Sequence, residues 1–449
     1  MSRYGSRKDI QRNLVILFLD GMVFAPAMTL ISITAVIPYF LHQAGATTFQ
    51  IGLAASLALV CSFLIQPIFV RLASNARHPQ RTFGKVLVLQ RVVFLAFVLC
   101  IPLLAGHGKV LTWMFLFFWG VFNLFVGSYG VFYSPLVLRI LPPDRRGAAR
   151  GAGNALGMLL SVGAAALIPP ILVGVAFPVN YLLIFAVGSL LLLIDAGLFF
   201  LLRIPKDAET DTPMTAFQYV RQMPGSIRRN APFRALVAAS IFLVIPNSLL
   251  AYYTIYAISV FGAAESQIGR MAVLAAMAGA VGYFVFGLAV DRWGPRLALL
   301  ASAYAIILAG ALALTSHSLM LLYVAWVLAN VGTSAYMIAG TLLLGLVSPP
   351  TQVTLHVGTQ SAISLALSAL VVLLLAPLLE HIGFGVLFAI VLVCGFASLI
   401  INVFGLRKHL VAASDVPAPI RAGDDEGPGE DAACPRQTLE PAHCPVTGP

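Results

Sequence analysis

Asp20, Arg91 and Asp195 are ionisable side chains standing well inside long apolar stretches of the sequence. Each lies about seven residues from the basic end of its stretch, which at roughly 1.5 Å per helical residue is about 10 Å deep. A lone charge at that depth in hydrocarbon is costly, so equal depth points to pairing. Two chemistries fit, and both stay open. One is a static ion pair, or Arg91 and Asp195 reaching outward along peripheral helices. The other is proton uptake by Asp20 as Arg91 moves away, which would couple the protein to a proton gradient.

A second set of residues is neutral. Asn123 and Asn330 fall near the middle of two further apolar runs, on faces otherwise small and polar, and Trp119 and Trp326 precede them by one helical turn. Amides and indoles around a mid-membrane cavity can hold a polar or aromatic molecule. The same residue types also serve close helix packing with interhelical hydrogen bonds. The cavity is the expectation carried forward for Trp119, Asn123, Trp326 and Asn330. Tyr256, with Tyr252 and Tyr253, follows a break at Pro246-Asn247. Its position suits a gate, or an aromatic belt at the membrane interface.

The third pattern is GLAVDRWGPR, Gly287 to Arg296, at the end of an apolar run. Asp291 can lie against a neighbouring helix N-terminus and latch two helical bodies, with Gly287, Arg292, Gly294 and Arg296 shaping the turn around it. Its alternative is a solvated loop acid.

Elements that could position these residues must live in lipid. The chain has 60% hydrophobic and 10% charged residues and a mean hydropathy of +0.94, too little polar surface for a soluble domain. About 20 helical residues cross a hydrocarbon layer roughly 30 Å thick. Runs near 14–41, 50–72, 85–106, 110–138, 152–175, 179–202, 235–261, 268–290, 297–315, 319–347, 356–379 and 383–405 meet that length. The Ala25-Pro26-Ala27 triplet resembles a leader cleavage site, but Asp20 interrupts the run and the apolar stretch continues to Leu41, so a retained first span is expected.

The net charge of +10 does not form a nucleic-acid face, because the basic residues sit in short loops between apolar runs. All of the 27 lysines and arginines except Arg91, Lys109 and Arg270 fall on one side of the alternating spans. That bias predicts a cytoplasmic membrane location with both termini cytoplasmic. The expected organisation is a short N-terminus at 1–13, a six-helix bundle at 14–202, a central loop at 203–234, a second six-helix bundle at 235–405 and a disordered acidic tail at 406–449. Cys434 and Cys444 with His443 lack zinc-knuckle spacing, and His42, His107, His317 and His381 are scattered. No metal site, cofactor or catalytic cluster is expected.

An internal repeat joins the halves. Gln50-Ile51-Gly52 returns as Gln267-Ile268-Gly269, and Ala55, Leu57 and Phe69 return as Ala272, Leu274 and Phe286 at the same shift. Trp119, Asn123, Tyr129, Pro142, Pro143 and Gly151 return at a second fixed shift as Trp326, Asn330, Tyr336, Pro349, Pro350 and Gly358. The halves are parallel repeats.

With twelve spans, this repeat and the LPPDRRGAARG loop, GLAVDRWGPR resembles the signature loop of the major facilitator superfamily over nearly all of residues 10–408. The resemblance implies an all-α integral membrane protein of two six-helix bundles. It further implies a secondary transporter that moves a small-molecule solute by rocking the bundles, with proton coupling an open option and the lipid bilayer and solute as partners. The departures are equally plain. The first-half loop VRLASNARHPQR has Ser74 where the second half has Asp291, span four lacks the arginine of proton-coupled members, and span five lacks the Gly-Pro motif of drug exporters. The alternative is a transporter-like receptor or assembly protein that binds without translocating, although no large soluble sensing region accompanies the spans.

The topology makes a direct prediction. In a background free of native cysteines, single cysteines at Thr48, Gly106 and Ser316 should react with an impermeant thiol reagent from outside. Cysteines at Ser74, Gly147 and Ser414 should not, and labelling of any of that second group from outside would overturn the arrangement.

Overall fold

The computed structural model describes residues 6–33, 36–104, 106–205, 212–263 and 265–406. The expected tail beyond Leu406, the first five residues and Lys206 to Asp211 of the central loop lie outside the described residues. All regular structure among the described residues is helical. Among the described residues, eleven helices are long and apolar enough to cross a membrane, and the pair Phe49–Leu64 and Gln66–Ser74, bent by 40°, makes a twelfth when taken as one span.

Several helices begin and end where local chemistry requires it. Thr47 and Gln50 form a capping box ahead of span two, Asn230 caps span seven and Ser318 caps span ten, each giving a hydroxyl or amide oxygen to an otherwise orphan backbone N–H. Pro67, which lacks an N–H, stands in the first turn of the inner half of span two, where the helix bends. Span four is Gly108–Val126 continued by Ser128–Ile140, and span seven is Ala231–Ser248 continued by Ala251–Phe261. Gly383, at φ +72°, divides the residues of spans eleven and twelve, and Gly294, at φ +84°, turns the chain from span eight into span nine. Both positions are in the left-handed region that glycine enters without a Cβ penalty.

Several helices start earlier than their apolar runs, spans one and five by the most. Span one is helical from Arg7, and span five, Pro143–Gly174, starts about two and a half turns before residue 152. Their added turns carry the polar residues that tie the basic ends together. Asn13 Nδ2 donates to Arg203 O at 2.8 Å, and Arg146 Nε donates to Leu141 O at 2.8 Å.

The apolar core is arranged differently in the two halves. In the second half one continuous cluster runs from Phe233 to Leu406. In the first half there are two clusters, one around Phe40, Phe97 and Phe115 and one around Phe83, Val137 and Phe199. Asp20, Arg91 and Asp195 belong to neither, so a polar layer separates them.

Contacts between the halves gather at the basic end. Span five crosses span eight, Glu265–Trp293, so closely that a Cβ on Gly287 would lie 2.7 Å from the Cα of Gly151. Leu138 of span four fills the space above Gly345 of span ten, and Val70 of span two that above Gly358 of span eleven. The central loop adds a helix, Ala216–Arg229, beneath spans two and eleven. Thr212 N donates to Thr351 O, and Asn75 Nδ2 to Met214 O, both at 2.9 Å.

Burial adjusts the labelling test. Gly106 is exposed, whereas Ser74, Ser316 and Gly147 are buried. Moving two of these probes by one residue, to the exposed Asn75 and Thr315, should give the same sidedness with faster labelling.

Candidate functional site

The three deep ionisable residues come together, with a pairing the sequence did not specify. Arg91 is 1% exposed, and its Nη2 lies 3.2 Å from Asp195 Oδ2. The same nitrogen donates to the Tyr129 hydroxyl at 2.7 Å, Nε donates to Leu192 O at 3.4 Å, and Nη1 donates to Gln90 Oε1. Asp20 does not pair directly with Arg91. Its Oδ2 accepts from the Tyr133 hydroxyl at 2.8 Å, and its carboxyl lies close to that of Asp195, whose Oδ1 has no donor. Arg150 lies over the Tyr133 ring, 5.1 Å from its centroid. The layer therefore holds two carboxyl groups against one fully buried guanidinium, with Arg150 at its edge. Reaching outward along peripheral helices is not what Arg91 or Asp195 does.

Tyr129 and Tyr133 lie four residues apart on one face of the inner half of span four, as helical spacing requires. The adjacent face, Gly130 and Ser134, lines a cavity between the bundles of about 400 Å³. Its walls come from spans two, four, seven, ten and eleven, and include Gln66, Asn247, Tyr336 and Gln360.

Trp119, Asn123, Trp326 and Asn330 are not on those walls. Trp119 Nε1 donates to Ala54 O at 3.0 Å, and Trp326 Nε1 to Met271 O at 2.9 Å. Asn123 and Asn330 each return a hydrogen bond to the backbone one turn back, to Trp119 O and Trp326 O. The two sites are repeat copies: Ala54 and Met271 stand at the same shift that relates Gln50 to Gln267. In this arrangement the four residues serve helix packing, because an indole N–H buried in lipid-level protein needs a carbonyl, and the neighbouring helix supplies one. Tyr256 is also away from the cavity, within ring contact of Phe261, Phe384 and Phe388.

At the basic end, Asp291 accepts two backbone hydrogen bonds from span five, Gly147 N to Oδ1 at 2.7 Å and Ala148 N to Oδ2 at 2.6 Å. Gly147 and Ala148 are the fifth and sixth residues of span five, so the carboxylate meets that helix near the positive end of its dipole. Gly287 permits the approach from one turn below. Arg292 is exposed and lies over the Trp293 ring, and Arg296 Nη2 donates to Asn402 O at 3.2 Å. Neither arginine holds Asp291, so the motif's charges act on separate partners. In the other half, the equivalent Ser74 bonds locally: its Oγ donates to Arg71 O and accepts from the side chain of the C-cap residue Asn75. The loop helix covers that side instead, with Tyr219 buried near Gly358.

Tyr133, Gln66, Gln360 and Arg150 were not singled out from sequence. Tyr129 and Tyr336 were visible as a repeat pair, and that was the available signal: one copy meets the ionic layer, the other the cavity.

A profile described as the Major Facilitator Superfamily matches residues 15–310 and 255–423. No curated protein matches the sequence. Among solved structures, the chain is similar to the human organic anion transporter MFSD10 (TETRAN), at 15% identity and a TM-score of 0.69, covering 88% of this chain and 99% of that one. It is similar to the E. coli fucose:proton symporter FucP, at 16% identity and a TM-score of 0.67, covering 88% and 99%. A bacterial homologue of the iron transporter ferroportin, solved in an outward-facing state, gives 14% identity and a TM-score of 0.65 over 87% and 98%.

Two expectations follow from the geometry. Trp119→Phe and Trp326→Phe should each cost about 0.5–1.5 kcal/mol by removing a buried hydrogen bond between helices; the melting temperature should drop in both while ligand affinity holds. Asp291→Asn puts an amide N–H against a backbone N–H and should raise the fraction of molecules open at the basic end by about tenfold. Spin-label distances across that end should lengthen, and unchanged distances would reduce Asp291 to a marker of topology.

Proposed function

We propose that this chain, which belongs to the Major Facilitator Superfamily, is a secondary active transporter carrying a small solute across the cytoplasmic membrane by alternating access. The observation that carries the reading is the two-point hold of Asp291 on the amides of Gly147 and Ala148. It joins one bundle to the other through a contact that a rocking motion must break and remake. The distribution of lysine and arginine supports placing this end, and both termini, on the cytoplasmic side. The arrangement described is then closed inside, with the cavity on the path between the bundles.

The polar layer supports proton coupling. Two neighbouring buried carboxyls beside one buried guanidinium favour holding one proton between them, since two like charges taken out of water repel. Span four connects that proton to the solute: Tyr129 and Tyr133 bond the carboxyls, and Gly130 and Ser134 face the cavity. A solute that shifts this helix shifts the hydroxyl donors, and with them the relative affinity of the two states for a proton.

Uptake of labelled solutes into proteoliposomes, with and without a pH gradient, tests both parts. Gradient-dependent accumulation is expected. Asp20→Asn should abolish accumulation and leave solute exchange, because the amide stands in for the protonated acid, and the Arg91–Asp195 pair should survive with little change in thermal stability. Asp195→Asn should instead strand Arg91 and cost about 3–5 kcal/mol. Undiminished accumulation by Asp20→Asn, alone or with Arg91→Gln, would remove Asp20 from coupling. Absence of both uptake and exchange, with no movement of the bundles, would favour a receptor.

A further inference from the structure

The cavity between the bundles contains no lysine, arginine, histidine, aspartate or glutamate side chain on its walls. Its polar groups are hydroxyls and carboxamides, among them Ser134, Asn247, Tyr336, Thr341, Gln66 and Gln360. We propose that the transported solute is an uncharged, hydroxyl- or amide-rich molecule about the size of a single sugar ring, held by hydrogen bonds that it donates to Gln66 and Gln360. This rests on the transporter reading and assigns it a substrate class.

Charge excludes the other classes. An anion or cation in a site of low dielectric needs a counter-charge or a converging set of oriented dipoles. Of the charges of the first bundle, Arg91 and Asp195 are bound to each other and to Tyr129, and Asp20 to Tyr133, on the face of span four next to the one that lines the cavity. The walls offer no further one. The volume of about 400 Å³ is near the lower end for ligand pockets, which sets the size.

The two glutamines set the direction of the hydrogen bonds. Gln66 is 1% exposed and Gln360 is 7% exposed, and the carbonyl oxygen Oε1 of each has no donor. Gln360 is oriented by its other end, where Nε2 donates to Ser240 Oγ at 3.0 Å, and Tyr336 lines the same cavity wall. Its oxygen is thus committed as an acceptor awaiting a donor. The pair spans the bundle boundary: Gln66 stands beside the bend of span two and Gln360 on span eleven. A solute donating to both would engage the two bundles at once. Ions lacking neutral donors cannot do so without leaving their own charge unmatched.

The test uses the full-length chain in proteoliposomes and detergent, with a hexose, its hexonate and its aminohexose as probes on one skeleton, and a neutral polyol and its sugar acid as a second set. Neutral members should exchange and raise the melting temperature, with charged members at least about tenfold weaker. Gln66→Leu and Gln360→Leu should each weaken neutral exchange by about tenfold, while Ser240→Ala, which frees the Gln360 amide to rotate, should produce a smaller loss. Melting and chromatographic behaviour of each variant without solute separates misfolding from lost recognition. Equal or stronger exchange of the hexonate or aminohexose would overturn the substrate class while leaving the transporter reading intact. Failure of every neutral probe to bind or exchange would also overturn it; spin-label distances that still alternate in that case would show that transport itself is not what failed.

Discussion

Burying Arg91 at membrane depth governs much of the first bundle. A guanidinium has five donors and cannot lose its charge there, so each neighbouring helix supplies an acceptor: Asp195 from span six, Tyr129 from span four, Gln90 from its own helix and the Leu192 carbonyl. Those demands interrupt the apolar core and leave two clusters in place of one. The second bundle, with no comparable charge, packs around a continuous core. Two repeats of one architecture thus divide their tasks, one holding the ionisable groups and the other an apolar body to move against.

Close approach at the basic end depends on absent side chains. Gly147, Gly151 and Gly287 let spans five and eight touch backbone to backbone, and only at that separation can one carboxylate reach two amides. Pseudo-symmetry predicts a matching contact between spans two and eleven, but Ser74 is too short to provide it. The loop helix and Tyr219 fill that place. One contact is therefore ionic and directional, the other a packed cover.

Span four joins the parts. Its bend at Gly127 comes where the helix presses on the Ser62 carbonyl of span two, and beyond it one face meets the carboxyls while the next meets the cavity. A helix with two such faces passes a small rotation from one to the other, because its side chains are fixed relative to one another.

Much of the fold was legible in the chain itself. The spans follow from the lengths of apolar runs, the repeat from Trp, Asn, Tyr and paired prolines at fixed shifts, and the layer of Asp20, Arg91 and Asp195 from their equal depth. Those are properties of distance along a helix. What depth does not carry is direction around the helix or the identity of the facing helix. For that reason Asp195, and not Asp20, proved to be the partner of Arg91. For the same reason Trp119, Asn123, Trp326 and Asn330, at the expected height, turn to neighbouring backbone instead of the cavity. Asp291 was marked by its motif, but Gly147 and Ala148 became its partners only once two helices from different halves crossed at a glycine. Gln66 and Gln360 carried no signal at all, since a glutamine becomes an unpaired acceptor only when tertiary packing takes away its water.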